Sequence, residues 1–170
     1  MKNIVLIGFM GSGKTVVGRL LADRLGYKFI DTDKIIEERI GKTISDIFND
    51  EGEHYFREIE SNIVKELSEL KGHVISTGGG IVLNQDNLTC LKKSGLTVWL
   101  KASPESIHKR VVSESHRPLL NVKDPLKKIK RLLNLREKFY SKADISINTD
   151  DLDIEKVVEN IIDVYHKGEN

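Results

Sequence analysis

The sequence predicts an α/β fold with a five-stranded parallel sheet and helices on both of its faces. Short apolar runs alternate along the chain with longer segments whose apolar residues recur at helical spacing. The apolar runs are continuous, as in strands that are buried on both faces. Because strands and helices alternate along one chain, the strands are expected to lie parallel and to be joined by helical crossovers.

Each predicted strand is a short run rich in β-branched or other apolar residues, and a turn or polar segment follows it. The first run, at residues 2–8, contains Ile4, Val5, Leu6 and Ile7 and ends at Gly8. The other predicted strands are Tyr27–Ile30, His73–Ser76, Thr97–Leu100 and Ala143–Ile147.

The predicted helices are recognised by apolar residues on one face and by start and stop signals. Lys14–Leu25 ends at Gly26, Lys34–Ile40 ends at Gly41, and Thr43 is placed to cap the helix that follows. The remaining helical segments are Gly52–Leu70, Leu88–Lys93, Pro104–Val112, Leu126–Tyr140 and Ile154–Tyr165.

The chain has 170 residues, of which 39% are apolar, and this length corresponds to about one domain. The single cysteine, Cys90, allows neither an internal disulfide nor a thiolate zinc site. No apolar run is long enough to cross a bilayer. These features predict one soluble, cytoplasmic domain over residues 1–170 with no membrane association.

The net charge of +1 conceals an uneven distribution. Residues 101–142 contain 12 basic and 4 acidic side chains, whereas residues 143–170 contain 2 and 8. A basic central region favours binding of phosphates or other anions. A solvated helix face explains the same composition equally well.

Residues 8–15, Gly-Phe-Met-Gly-Ser-Gly-Lys-Thr, match the phosphate-loop pattern in full. Such a loop surrounds phosphate oxygens with backbone N–H groups, while its lysine reaches the β- and γ-phosphates and its hydroxyl binds Mg²⁺. A strand is predicted before the loop and a helix after it, as this mechanism requires. We therefore expect residues 8–15 to bind a nucleoside triphosphate.

Two further segments follow predicted strands and should lie at the same edge of the sheet. Asp31–Thr32–Asp33 offers two carboxylates, which could serve a metal shell and a proton acceptor or merely cap a helix. Thr77 is followed by Gly78, Gly79 and Gly80, which allow close approach of a ligand or form a flexible turn.

Several arginines are candidates for anion binding. Arg57 lies at the edge of an apolar helix stripe, with Glu60 one turn away to hold it. Arg110, Arg117 and Arg136 belong to the basic region. Arg117 is in the proline-bounded segment 113–125, which predicts either a mobile lid over the transferring phosphate or a plain surface loop.

Taken together, these motifs resemble those of the shikimate kinase family over nearly the whole chain. The resemblance rests on the phosphate loop, the Asp31–Asp33 segment, Glu53 with Phe56–Arg57, the triple glycine, Arg117–Pro118, and Leu135–Arg136 with Tyr140. It implies a three-layer P-loop kinase fold with a mobile lid at about residues 113–124 and a substrate-binding region at about residues 32–60. The implied reaction is ATP-dependent phosphorylation of the 3-hydroxyl of shikimate.

The resemblance also implies residue roles. Lys14, Asp33 and Arg117 would be catalytic, and Mg²⁺ would be bound by Thr15 and, through water, by Asp31. Shikimate would contact Asp33, Arg57, Arg136 and the glycines 78, 79 and 80. ATP would contact Gly11, Ser12, Gly13, Lys14, Thr15, Val16, Arg110 and Arg117. The acidic segment 148–153 lacks the arginine or proline common there in the family, so adenine contacts are left unassigned.

Three alternatives stay open at the level of sequence. A kinase of another small polyol acid, such as gluconate, would share the loop and the fold. A nucleotide-dependent switch would need guanine-reading or partner-binding features, and the sequence contains none. A nucleic-acid-dependent ATPase is suggested only by the basic region, which lacks interleaved aromatic residues before Phe139. We therefore expect ATP and shikimate as partners, no nucleic acid, and a monomer.

Overall fold

The computed structural model describes residues 1–112 and 122–168, with the side chain of Val112 excepted. The sheet has five strands in the order β2-β3-β1-β4-β5, and every neighbouring pair is parallel. This confirms the predicted sheet. The strands are β1 (Asn3–Ile7), β2 (Lys28–Asp31), β3 (His73–Ser76), β4 (Gly95–Lys101) and β5 (Ile145–Asn148).

The helices of the described chain agree with the predicted segments to within a few residues. They are α1 (Lys14–Leu25), α2 (Thr32–Ile40), α3 (Ile44–Asp50), α4 (Gly52–Ser68), α5 (Gln85–Ser94), α6 (Pro104–Val112), α7 (Pro125–Tyr140) and α8 (Ile154–Lys167). A short 3₁₀ helix, Ile81–Leu83, follows the triple glycine and was not predicted. The helix α2 begins at Thr32, two residues earlier than expected, because Asp31 caps it by accepting a hydrogen bond from the Asp33 N–H.

Two apolar clusters cover the two faces of the sheet. Val5 and Ile7 face a cluster that includes residues of α4, α5 and α7, while Ile4 and Leu6 face α1 and α8. Alternate residues of β1 therefore point into opposite clusters, and all of them are buried. This double burial explains why the strand is a continuous apolar run in the sequence.

The strand β1 lies at the centre of the sheet, with β2 and β3 on one side and β4 and β5 on the other. The strand β1 pairs with β3 on one side and β4 on the other, so β1 lies at the switch point where ligands of open α/β sheets bind. The register places Leu6 beside Ser76, and Ser76 beside Asp31. The loops that follow β1, β2 and β3 consequently meet at one edge.

Candidate active site

The phosphate loop connects β1 to α1. Gly11 and Gly13 have φ values of 73° and 94°, a left-handed conformation that non-glycine residues adopt at a cost. Gly13 is also the N-cap of α1. Among the described residues, no side chain caps the start of α1. Its first-turn N–H groups and positive dipole end therefore lie at the loop, as required for binding phosphate.

Lys14 is buried within this loop. Its ammonium Nζ donates hydrogen bonds to the carbonyl oxygens of Gly8 and Phe9, each at 2.9 Å. The Ser12 side chain next to it is buried, whereas Val16, another residue predicted to contact ATP, is exposed on α1. The Lys14 ammonium thus lies close to the backbone groups of the loop that would surround phosphate.

Thr15 and Asp31 are brought together by the fold. The Thr15 hydroxyl donates a hydrogen bond to Asp31 Oδ2 at 3.2 Å, and Asp31 Oδ1 accepts from the Asp33 N–H at 3.1 Å. Hydroxyl and carboxylate oxygens suit Mg²⁺, which in kinase sites binds few protein ligands and keeps substrate phosphates and waters. The described residues contain no group of three or more His, Cys, Asp or Glu side chains around a common point. The Thr15–Asp31 pair therefore fits Mg²⁺ that is bound mainly by phosphates.

Asp33 lies apart from Asp31, on the first turn of α2, where it faces the triple glycine. A Cβ added to Gly78 would lie 2.6 Å from Asp33 Oδ1 and 3.2 Å from Glu60 Oε1. Such a separation is closer than a side chain tolerates, so residue 78 must be glycine for Asp33 and Glu60 to occupy these positions. The side chains of the two aspartates, two positions apart in sequence, thus belong to different parts of the site.

Arg57 is held by two carboxylates of its own helix, α4. Its guanidinium donates to Glu60 Oε2 at 2.8 Å and to Glu53 Oε1 at 3.2 Å, and it lies over the Phe56 ring at 5.1 Å. Burial by itself would lower the pKa of Arg57, but the charge and hydrogen bonds of Glu60, and those of Glu53, raise it overall. Arg57 is therefore a fixed cation, as the sequence predicted from Glu60.

Glu60 is a buried carboxylate with 1% of its surface exposed. Burial raises the pKa of Glu60; Arg57 opposes this rise with its charge and hydrogen bond, and the nearby charge of Asp33 adds to it. A buried carboxylate of this kind is costly unless it is paired. Glu60 is therefore paired with Arg57 on one side and lies near the like charge of Asp33 on the other.

Arg136 reaches the same place from α7. Its guanidinium donates to the carbonyl oxygen of Gly79 at 3.5 Å and lies 5.6 Å from the centre of the Phe9 ring in the phosphate loop. Gly80 is in turn crowded by Arg57, since a Cβ there would lie 2.5 Å from Nη2. Two arginines that are 79 positions apart in sequence thus flank one glycine turn.

Arg110 is positioned between the phosphate loop and the segment after β5. It donates to the carbonyl oxygens of Gly11 and Thr149, both at 3.2 Å. Asp150, next to Thr149, accepts two hydrogen bonds from the Ser103 N–H. This arrangement anchors the acidic segment that sequence reasoning left unassigned. The remaining candidate, Arg117, and residues 113–121 of the expected lid lie outside the described residues.

The chain is similar to known proteins along nearly its whole length. The family model described as shikimate kinase matches residues 10–166. Shikimate kinase of Caldanaerobacter subterraneus is 50% identical over 98% of this chain and 98% of its own. The corresponding enzyme of Thermodesulfovibrio yellowstonii is 48% identical over 100% of this chain and 98% of its own.

The chain belongs to the shikimate kinase family. Members of this family are ATP-dependent kinases of shikimate, which confirms the predicted reaction. The structure of Acinetobacter baumannii shikimate kinase in complex with shikimate superimposes with a TM-score of 0.94 at 37% identity, covering 99% of this chain and 94% of that one.

The alternative of a gluconate kinase receives support at the level of fold only. A gluconokinase from Sinorhizobium meliloti is 17% identical with a TM-score of 0.62, whereas the shikimate kinases share about half of the sequence. The family model and these relatives favour shikimate. Within the described residues, no helix combines the length and the apolar character needed to cross a membrane.

Proposed function

We propose that this chain transfers the γ-phosphoryl group of Mg²⁺-bound ATP to the 3-hydroxyl of shikimate through the residues assembled at this edge of the sheet. The observation that carries the proposal is the meeting of Asp33, Arg57 and Arg136 at the glycine turn 78–80, next to the phosphate loop. One aspartate, two arginines and backbone amides match the chemistry of a carboxylic acid that bears three hydroxyls.

The nucleotide would occupy the phosphate loop. Gly11, Ser12, Gly13 and Val16 would line its phosphates and sugar, and Lys14 would move from its carbonyl partners to the β- and γ-phosphates. Mg²⁺ would be held by Thr15 directly and by Asp31 through water. When bound, the ion would neutralise negative charge on the phosphates. Arg110, fixed by Gly11 and Thr149, would lie near the adenine.

Shikimate would bind between α2, α4, α7 and the glycine turn. Arg57 and Arg136 would grip its carboxylate, because a planar guanidinium forms paired hydrogen bonds with a carboxylate. Asp33 would accept a hydrogen bond from the 3-hydroxyl, and the turn 78–80 would contribute N–H groups.

In the transfer step, the 3-hydroxyl oxygen forms a bond to the γ-phosphorus while the bond to the β–γ bridging oxygen breaks, and ADP leaves with that electron pair. Asp33 accepts the hydroxyl proton as the new bond forms. Lys14 stabilises the negative charge that develops on the transferred group and on the leaving oxygen. The protein contributes position and charge rather than covalent chemistry.

The deciding experiment is an ADP-release assay over a panel of shikimate, quinate, gluconate and nucleoside monophosphates. We expect turnover with shikimate far above that with every other acceptor. Preferential turnover of gluconate would instead support the alternative. Turnover without any small acceptor, stimulated by oligonucleotides, would contradict the proposal.

Arg57→Lys and Arg136→Lys should each raise the KM for shikimate by roughly 10- to 100-fold, because hydrogen bonds to charged groups contribute about 1.5–3 kcal/mol and a point ammonium cannot reproduce the fork. The value of kcat should change less, because the carboxylate of shikimate lies away from the hydroxyl that reacts.

Arg39→Lys is a matched control for these two variants, because Arg39 forms a forked pair with Glu66 on the surface. Steady-state kinetics with each substrate varied in turn would separate the outcomes. An effect of the Arg57 and Arg136 variants on kcat alone would contradict the assigned role.

The KM for shikimate should also depend on pH through Glu60, whose pKa is raised by burial. As pH falls through this raised pKa, Glu60 gains a proton, loses its ion pair with Arg57 and holds the guanidinium less firmly, so KM should rise. Because the pKa is higher in the folded than in the unfolded state, the same protonation favours folding. The rise in KM should therefore occur without a loss of thermal stability due to this group.

Glu60→Gln tests this pH dependence when KM is measured from acidic to neutral pH. The variant should have a higher KM at neutral pH and a flatter KM profile than the wild type. Glu53→Gln is the matched control, because Glu53 contacts the same guanidinium from an exposed position. Identical profiles for the wild type and Glu60→Gln would rule out Glu60 as the titrating group.

Residues 1–170 would act as one kinase domain, with a substrate-binding region at about 32–60 and a lid at about 113–124. Arg117 would close over ATP as part of that lid. The protein would work as a cytoplasmic monomer that binds neither nucleic acid nor membranes.

A further inference from the structure

Tyr140 is a buried side chain to which the proposed mechanism assigns no role. It ends α7 and is fully buried, and its hydroxyl donates a hydrogen bond to the carbonyl oxygen of Gly79. The same carbonyl accepts the bond from Arg136 at 3.5 Å. The Gly79 carbonyl thus accepts hydrogen bonds both from Arg136, which we propose binds the substrate, and from the buried Tyr140 hydroxyl.

The ring of Tyr140 is fixed by its packing. It stacks on Trp99 of β4 with ring centres 5.8 Å apart and planes 24° apart. Burial raises the pKa of Tyr140 to about 12, so the hydroxyl keeps its proton near neutral pH and can donate a hydrogen bond. The hydroxyl therefore has both a fixed position and a fixed hydrogen-bonding role.

The glycine turn is closed by a second and a third anchor. The Gly78 carbonyl accepts from the Ile81 N–H at 3.2 Å, and the Gly78 N–H donates to Thr32 Oγ1 at 3.0 Å. In a trans peptide the N–H points opposite to the carbonyl. Fixing the carbonyls of Gly78 and Gly79 therefore directs the N–H groups of Gly79 and Gly80 away from these partners.

The turn also lies against the phosphate loop. A Cβ added to Gly79 would be 3.4 Å from the Met10 nitrogen and 3.5 Å from the Gly8 carbonyl oxygen. A rotation of the Gly79–Gly80 peptide would therefore disturb the contact between the two halves of the site. The hydrogen bond from Tyr140 to the Gly79 carbonyl therefore sets the orientation of the turn toward the acceptor substrate.

We infer that Tyr140 is a positioning residue, whose hydroxyl fixes the Gly79–Gly80 peptide and the Arg136 guanidinium in the orientation that binds shikimate. This inference rests on the proposed function and assigns a role to a residue that does not itself touch the substrate. Interactions that set substrate position equally in the ground state and the transition state act on KM rather than on kcat.

The test is Tyr140→Phe, which removes the hydroxyl and keeps the ring on Trp99. Since one net hydrogen bond contributes about 0.5–1.5 kcal/mol, the KM for shikimate should rise about 3- to 10-fold. The KM for ATP and kcat should remain near the wild-type values. A purely structural role would lower thermal stability without this split between the two substrates.

Tyr165→Phe is the matched control. Tyr165 is also buried, with 4% of its surface exposed, but it lies in the cluster on the opposite face of the sheet. Its hydroxyl forms hydrogen bonds with the Lys2 backbone and the Tyr27 hydroxyl. Tyr165→Phe should lose at least as much stability as Tyr140→Phe, because it removes more hydrogen bonds, and it should keep the wild-type KM for shikimate. A shikimate KM that is unchanged in Tyr140→Phe, or raised equally in both variants, would overturn the inference.

A second variant decides the matter if Tyr140→Phe folds poorly. Thr32→Val keeps the shape of a buried side chain and removes the acceptor of the Gly78 N–H. Thr32→Val should raise the KM for shikimate while the KM for ATP and kcat stay near wild type. An unchanged KM for shikimate would count against the inference that the glycine turn positions the substrate. Wild-type turnover of shikimate is measured in parallel, so failure of the proposed function itself would be recognised separately.

Discussion

Asp33→Asn is expected to lower kcat by about 10²- to 10⁴-fold, the range observed when a general base is lost. Asparagine retains the shape of the side chain and one acceptor oxygen, so binding of shikimate should weaken far less than turnover. The reason is that the proton of the 3-hydroxyl must leave during transfer, and an amide cannot accept it. The KM for ATP should stay near its wild-type value, because Asp33 is not part of the phosphate loop.

The structure supplies a control for this variant. Asp86 occupies the first turn of α5, as Asp33 does in α2, so Asp86→Asn removes the same charge from an equivalent helix end. Its kcat should be unaltered. If Asp33→Asn mainly weakened binding while the Arg57 and Arg136 variants mainly slowed transfer, the assigned roles would be reversed.

Lys14→Ala is expected to lower kcat by about 10²- to 10³-fold, the cost of removing one preorganised electrostatic contact from a transition state. The ammonium lies 2.9 Å from the carbonyls of Gly8 and Phe9, from which it needs only to turn toward a bound phosphate. Thermal unfolding should show a folded variant, because α1 and β1 are held by apolar contacts that Lys14 does not make.

Lys156→Ala is the comparison for Lys14→Ala. Lys156 lies in the first turn of α8 and pairs with Glu159 on the surface, so its removal deletes a lysine from a helix start without touching the phosphate loop. Stopped-flow or quenched-flow measurement of a single turnover would isolate the transfer step. Wild-type single-turnover rates in folded Lys14→Ala would contradict the role given to this lysine.

The sequence alone predicted most of the local structure, because local patterns determine it. The bounds of α1, α6 and β3 agree with prediction to the residue, since glycine stops, a first-turn proline and a short apolar run are local signals. The 3₁₀ helix Ile81–Leu83 was missed, because three residues are too few to show a period.

The phosphate loop was also predictable from sequence, since its function depends on consecutive backbone groups and needs no distant partner. The interaction of Arg57 with Glu60 was predictable for the same reason, because the two lie one helical turn apart.

What only the tertiary structure decided is how distant segments meet. The strand order β2-β3-β1-β4-β5 depends on long-range pairing, and it alone brings the ends of β1, β2 and β3 to one edge. The sequence presented the triple glycine as room for a ligand or as a flexible turn, whereas Gly78 and Gly80 leave room for the protein's own Asp33 and Arg57 side chains. No local pattern reveals such crowding, because the Asp33 and Arg57 side chains lie 45 and 23 positions away in the chain from Gly78 and Gly80. Only folding brings them within contact distance.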